Sequence, residues 1–256
     1  MTNVRSAAAQ AGNNPLVETG ARIGYAASGL LHLLLAWLAV QVAWTSYSGN
    51  ADQAGALETL TGNPVGSALL WLVLVGFVLL TLWQLTEVVT RGETGDRLKA
   101  AGRALIYAAL AWTTFGVLRG GGSGGAGESQ TTQLMQSSAG RVLVGLIGLV
   151  VIGVGIYHVY KGWTKKFLED LQEHPGTWAV RAGRFGYVAK GVALAVVGGL
   201  LTSAAATSDA SKAQGLDGAL RTLLDVPLGK ALLTVIALGF AAYGVYAFAR
   251  ARYARV

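Results

Sequence analysis

The residues of this chain best equipped for chemistry are a few histidines and charged side chains that lie inside apolar runs. Cysteine is absent, which removes disulfides, thiolate metal sites, iron–sulfur clusters and cysteine nucleophiles. His32 falls about ten residues into an apolar stretch, which at about 1.5 Å of rise per residue puts it near the middle of a membrane-spanning helix. A histidine there reads first as a strut bonded to a neighbouring helix, and otherwise as a ligand contact, a proton relay or a haem ligand. His158 lies toward the end of another stretch. A bis-histidine haem is disfavoured, because the depths of His32 and His158 differ by about 11 Å. His174 precedes Pro175 in a polar segment and reads as solvated. HExxH, a clustered carboxylate pair and a Ser–His–Asp spacing are all missing. The tract RGGGSGGAGESQ at 119–130 lacks the GK[ST] ending and context of a phosphate-binding loop, and reads as a flexible linker. No enzymatic activity, metal or other cofactor is expected.

The elements that must hold these residues are membrane spans. Hydrophobic residues make up 53% of the 256 and charged ones 13%, too few charges for a soluble chain of this length to solvate its surface. Apolar runs cover 23–44, 65–86, 142–160, 185–207 and 228–249, each long enough to cross a bilayer core. A sixth run, 104–118, spans only if Arg103 and Arg119 snorkel or the flanking glycines extend the helix. The first run is too long for a signal peptide and reads as retained. Fourteen of the twenty basic residues gather at the two termini and in the 87–103 and 161–184 junctions, which predicts both termini in the cytoplasm of a bacterial plasma membrane. The net charge of +7 then serves insertion and contact with anionic lipids rather than nucleic acid.

A threefold repeat organises the spans. GARIGYAASG at 20–29 recurs as AGRFGYVAKG at 182–191, and KAAGRALIYAAL at 99–110 is a weaker copy, with Arg22, Arg103 and Arg184 at a constant step of 81. GALETLTGNPVGSALL at 55–70 recurs as GALRTLLDVPLGKALL at 218–233, and the middle copy keeps only Leu134, Gly140 and Leu143. Each unit is a span, an outer loop with a short amphipathic helix carrying leucines such as Leu57, Leu60, Leu220, Leu223 and Leu224, and a second span begun near Pro64 or Pro227. The predicted fold is an all-α, six-span, pseudo-threefold bundle. It comprises a tail at 1–18 and repeats at 19–98, 99–179 and 180–256.

Aligning the repeats gathers polar positions into sets: Trp83, Tyr157 and Tyr246; Gln84, His158 and Ala247; Glu87, Lys161 and Arg250. The aromatic set reads as an interfacial girdle. The charged set puts one acid beside two bases, and Glu87 also faces Lys190, about six residues into span five, so an ion pair of Glu87 with Lys190 or Lys161 is expected. His32 is expected to bond to Thr81 or Gln84 on the following span, with Thr81 the better match in depth. Helix packing explains the many glycines of spans four to six. The candidate polar residues are therefore His32, Thr81, Gln84, Glu87, His158, Lys161 and Lys190.

Three two-span units, opening near R-x-G-Y and closing with ALxxL, P-x-G and LL, resemble the DUF1206 family of bacterial, largely actinobacterial, membrane proteins over about residues 18–253. The resemblance implies fold and location and supplies no catalytic residues. The largely aliphatic middles of spans three to six favour a non-enzymatic accessory or scaffold subunit, partnered by lipid and by other membrane subunits. The alternatives are a small-solute or ion transporter or channel on the pseudo-threefold axis, and a haem- or quinone-binding redox subunit.

Overall fold

The computed structural model describes residues 15–62, 64–90, 93–120, 126–213 and 215–254. Most of the tail expected at 1–18 lies outside them, as do Arg5, Arg91 and Arg255. Six helices are long and apolar enough to cross a membrane: α1 (Pro15–Trp44), α3 (Pro64–Thr90), α4 (Thr94–Leu118), α6 (Ser138–Trp163), α7 (Thr177–Thr207) and α9 (Gly229–Tyr253). Each outruns its apolar run, because the helix continues into the polar flanks where the last turns meet headgroups. The short run 104–118 reaches spanning length this way. Its helix extends back through Arg103 to Thr94, and not through the glycines beyond Arg119.

Short helices cover the face opposite the termini. α2 (Gln53–Glu58) is capped by the Asp52 carboxylate, which accepts from the Gly55 N–H at 2.8 Å, and α8 (Leu216–Thr222) is its counterpart in the third repeat. Their leucines fold down onto the bundle, leaving Leu57 and Leu220 with no exposed surface. Asp217 on α8 accepts from the Ala51 N–H at 2.8 Å, tying the first loop to the third. The middle loop corrects an expectation. The linker foreseen over 119–130 ends instead in a third outer helix, α5 (Ala126–Met135), rich in good helix formers and anchored by Met135 against Val144, Ala204 and Ala213. Pro64 is the first residue of α3, as expected, whereas Pro227 lies in the turn two residues ahead of α9.

Neighbouring spans follow the order α4–α3–α1–α9–α7–α6. The most extensive interfaces join the second span of one repeat to the first span of the next: α3 to α4, α6 to α7 and α9 to α1. Within repeats, α1 packs on α3 and α7 on α9, but α4 and α6 barely touch, so among the described residues the ring is open at its middle repeat. Glycines set the close interfaces. On α6, Gly148, Gly155 and Gly162 recur every seven residues, and a Cβ at Gly155 would stand 2.7 Å from the Gly191 carbonyl oxygen on α7. The outward faces of α3, α4 and α6 carry large apolar side chains such as Leu72, Trp112 and Val150, a surface suited to acyl chains.

Candidate functional site

Among the described residues, two polar cavities stand out in this apolar bundle. The deeper one is built on His32, in the middle of the 30-residue α1. Its Nδ1 lies 2.7 Å from the carbonyl oxygen of Ser28, one turn back on the same helix. A carbonyl only accepts, so Nδ1 carries the ring hydrogen and Nε2 keeps its lone pair. That lone pair faces the Lys190 Nζ of α7 at 3.1 Å, where the lysine donates. Lys190 Nζ also stands 4.3 Å from the centroid of the Tyr243 ring of α9. The imidazole lies 4.4 Å from that same ring and 6.4 Å from Phe240. A cavity of about 190 Å³ runs from Gln53 and Leu216 at the loop face down to this pair, along Leu35, Ala193, Leu194, Val197 and Phe240.

The second place is a cavity of about 260 Å³ at the face bearing the termini. Trp83, Glu87, Arg103, Tyr157, Lys161 and Arg250 line it from four spans, together with Tyr25 of α1 and Asp170 from the short turn Lys166–Asp170. Asp170 Oδ2 accepts from Lys161 Nζ at 2.7 Å and faces Arg250 Nη2 at 3.5 Å. Burial pushes the Asp170 carboxyl up, but the Arg250 and Lys161 charges outweigh it and hold it below the usual carboxylate range. The turn is fixed by an isolated antiparallel bridge, Leu171 to Ala254, with the Gln172 N–H donating to the Tyr253 carbonyl at 2.8 Å. Arg250 lies 4.4 Å over the Tyr25 ring, and its buried Nε has no hydrogen-bond partner.

Tyrosines join the two places. Tyr187 of α7 packs edge-to-face on Tyr243 at 5.1 Å and lies 5.6 Å from Lys161 Nζ, while Phe167 stacks on it at 5.3 Å. A continuous series of contacts thus runs from Lys190 through Tyr243 and Tyr187 to Lys161, Asp170 and Arg250.

Several expectations change against this geometry. His32 is buried, as foreseen, but its partner is Lys190 and not Thr81 or Gln84. The Thr81 hydroxyl donates to the Phe77 carbonyl of its own helix, and Gln84 is buried with its Oε1 unpartnered. The reason is helix order: the Phe240 and Tyr243 side of His32 looks toward α9 and α7, away from α3. The same order separates Glu87 on α3 from Lys190 on α7. Lys190 bonds His32 and Lys161 pairs with Asp170, while Glu87 lines the terminal-face cavity together with Lys161. His158 donates Nδ1–H to the Val154 carbonyl at 2.8 Å and stacks 5.7 Å from Tyr187. The aromatic girdle does not form, since Trp83 and Tyr246 are buried and only Tyr157 is exposed. Tyr25 and Tyr187 were visible as the tyrosines of R-x-G-Y. Asp170 carried no signal, because it occupies no repeated position.

The family model described as Domain of Unknown Function (DUF1206) matches three tandem stretches, residues 23–91, 98–165 and 185–254. The chain belongs to this family. Each match covers one pair of spans with its outer helix, so the family repeat and the structural repeat coincide. His32, Glu87, Lys161, Lys190 and Arg250 fall within matched stretches, whereas Asp170 lies between the second and third. The chain is similar to a Bacillus subtilis (strain 168) protein called Uncharacterized protein YxxB, 30% identical over 254 residues, covering 93% of this chain and 92% of the relative. No solved structure matches the chain.

Proposed function

We propose that this six-span protein is a small-solute transporter whose path runs from the loop face through His32 and Lys190, past Tyr243 and Tyr187, to the terminal-face cavity. The observation that carries this reading is the pair of cavities. One reaches from the loop face to a lysine at mid-span, the other holds Lys161, Asp170 and Arg250 at the opposite face, and two packed tyrosines lie between. Cavities approaching from both sides toward an occluded middle, each ending on charged side chains, are what alternating access requires. An accessory subunit needs neither a mid-span lysine nor a space beside it, since a charge at that depth is costly and is kept for work. A haem-ligating His32 is disfavoured because both ring nitrogens are engaged. The distribution of basic residues supports cytoplasmic termini in a bacterial plasma membrane, with the terminal face against anionic headgroups.

The test is flux through the purified protein reconstituted in liposomes, measured with a panel of small anions, amino acids and sugars. Saturable flux of at least one solute, lost in Lys190→Met, supports the reading. Absence of flux across the panel, with another membrane protein co-purifying in fixed ratio, overturns it in favour of an accessory subunit.

A further inference from the structure

We infer that the cavity above His32 and Lys190 binds a small monocarboxylate with an apolar body, its carboxylate on Lys190 Nζ; this rests on the transport reading for its biological use but not for its chemistry. Lys190 has a donor to spare. An ammonium has three N–H groups. One is directed to His32 Nε2 at 3.1 Å, and the Tyr243 ring takes up a second side at 4.3 Å. The remaining side is available to the cavity that Lys190 lines. Among the described residues no carboxylate is in ion-pair contact with Lys190, so the cation sits at mid-span without an internal counter-charge. An anion entering the cavity supplies it.

The walls decide which anion. His32 cannot donate to it, because its ring hydrogen is committed to the Ser28 carbonyl. Among the described residues, the polar lining besides His32 and Lys190 is Gln53 at the mouth, and no arginine lines the space. A dianion such as phosphate or sulfate needs several donors and more than one positive charge, which this cavity lacks. The remaining surface is aliphatic or aromatic, from Leu35, Leu194, Val197 and Phe240. At about 190 Å³ the space is comparable to engineered cavities of about 150 Å³ that accept benzene, so the body is roughly six carbons.

The probe is hexanoate, titrated calorimetrically against the full-length protein in detergent. Its controls are hexanamide, which has the same shape without charge, and inorganic phosphate and chloride. Saturable binding of hexanoate, with hexanamide and both inorganic anions at least tenfold weaker, is the expected result. Lys190→Met should abolish binding. Where that variant fails to fold, Ala193→Leu, which fills the cavity and leaves Lys190 in place, should abolish it equally. Equal binding of hexanoate and hexanamide, or hexanoate binding unchanged in a folded Lys190→Met or Ala193→Leu variant, overturns the proposal, as does tighter binding of chloride or phosphate. The two readings fail separately. Hexanoate binding without flux of any solute overturns transport and leaves the site, whereas flux of other solutes without hexanoate binding leaves transport and overturns the ligand class.

Discussion

Asp170→Asn is the sharpest test of the terminal-face cluster. Asp170, Lys161 and Arg250 have side chains 24%, 14% and 13% exposed, and one carboxylate oxygen serves both cations. Removing one member of a buried ion pair costs about 3–5 kcal/mol, because the remaining charge is left uncompensated. Asparagine keeps an acceptor oxygen and Asp170 is partly solvated, so the expected loss is roughly 2 kcal/mol. For a chain of this size that is a fall in unfolding temperature of roughly 4–8 °C. The seven tryptophans report it as a fluorescence transition in detergent. The double variant Asp170→Asn/Lys161→Met should recover part of the loss, since it removes one of the two stranded cations. The pH dependence has a definite sign. Because Asp170 is held below the ordinary range, its contribution is complete above the unfolded value of about 3.9 and is lost as pH falls through the lower folded value. The gap between wild type and Asp170→Asn should therefore be constant from neutral pH down to that point and close below it. Transitions within about 1 °C of each other at pH 7 would refute the cluster as a structural clasp.

Three further outcomes are expected. His32→Leu removes the acceptor for Lys190 and should lower stability by about 1–3 kcal/mol, while His32→Gln, which supplies an amide oxygen, should cost less than half as much by the same unfolding assay. Gly186→Leu should prevent α7 from closing on α9, because even a Cβ there would meet the Tyr243 nitrogen at 2.5 Å, whereas Leu105→Gly should leave the yield of folded protein unchanged; equal yields of both variants would sink the idea. Topology reporters fused after Arg97 and within 120–130 should fall on opposite sides of the membrane, the first in the cytoplasm; matching sides would remove α4 as a span.

The spans were legible because an apolar run of some twenty residues has few physical alternatives, and the repeat because Arg22, Arg103 and Arg184 keep an even step. The structure gives that arginine a purpose. Arg22 donates to the Ala251 and Arg252 carbonyls at the end of α9, and Arg184 lies 4.7 Å over Trp163 at the end of α6, each meeting the negative end of the preceding repeat's last helix. The partners of the buried polar groups were not legible. Depth along a helix follows from residue number, but which helix stands opposite depends on the order of packing around the ring. Sequence position therefore points Lys190 to Glu87, at a similar distance from the membrane face, whereas its stem reaches deeper to His32. Asp170 was beyond periodic reasoning altogether, since it belongs to a turn pinned to the end of α9.

The open middle repeat coincides with a change in the sequence. In the first repeat, Gly24 lets α1 lie against Gly76 and Leu80 of α3, and in the third, Gly186 lets α7 lie against Tyr243 of α9. The corresponding position of the second repeat, at the same step of 81, is Leu105, which is 73% exposed. A branched side chain thus stands where its counterparts have none, and α4 and α6 are the two spans that part. A similar exchange occurs between repeats. Gly29 faces Gly244 and Gly191 faces Gly155, but the third such contact would join Leu110 to Thr81. The degeneracy of the middle motif is thus a change of shape. It loosens one sector of the ring beside the terminal-face cavity, which α4 lines through Arg103 and α6 through Tyr157 and Lys161. On the transport reading proposed above, a path that opens to one face needs a sector free to move, and the sector where the middle repeat carries Leu105 and Leu110 in place of glycines would move without disturbing the His32–Lys190 pair held by the other two repeats.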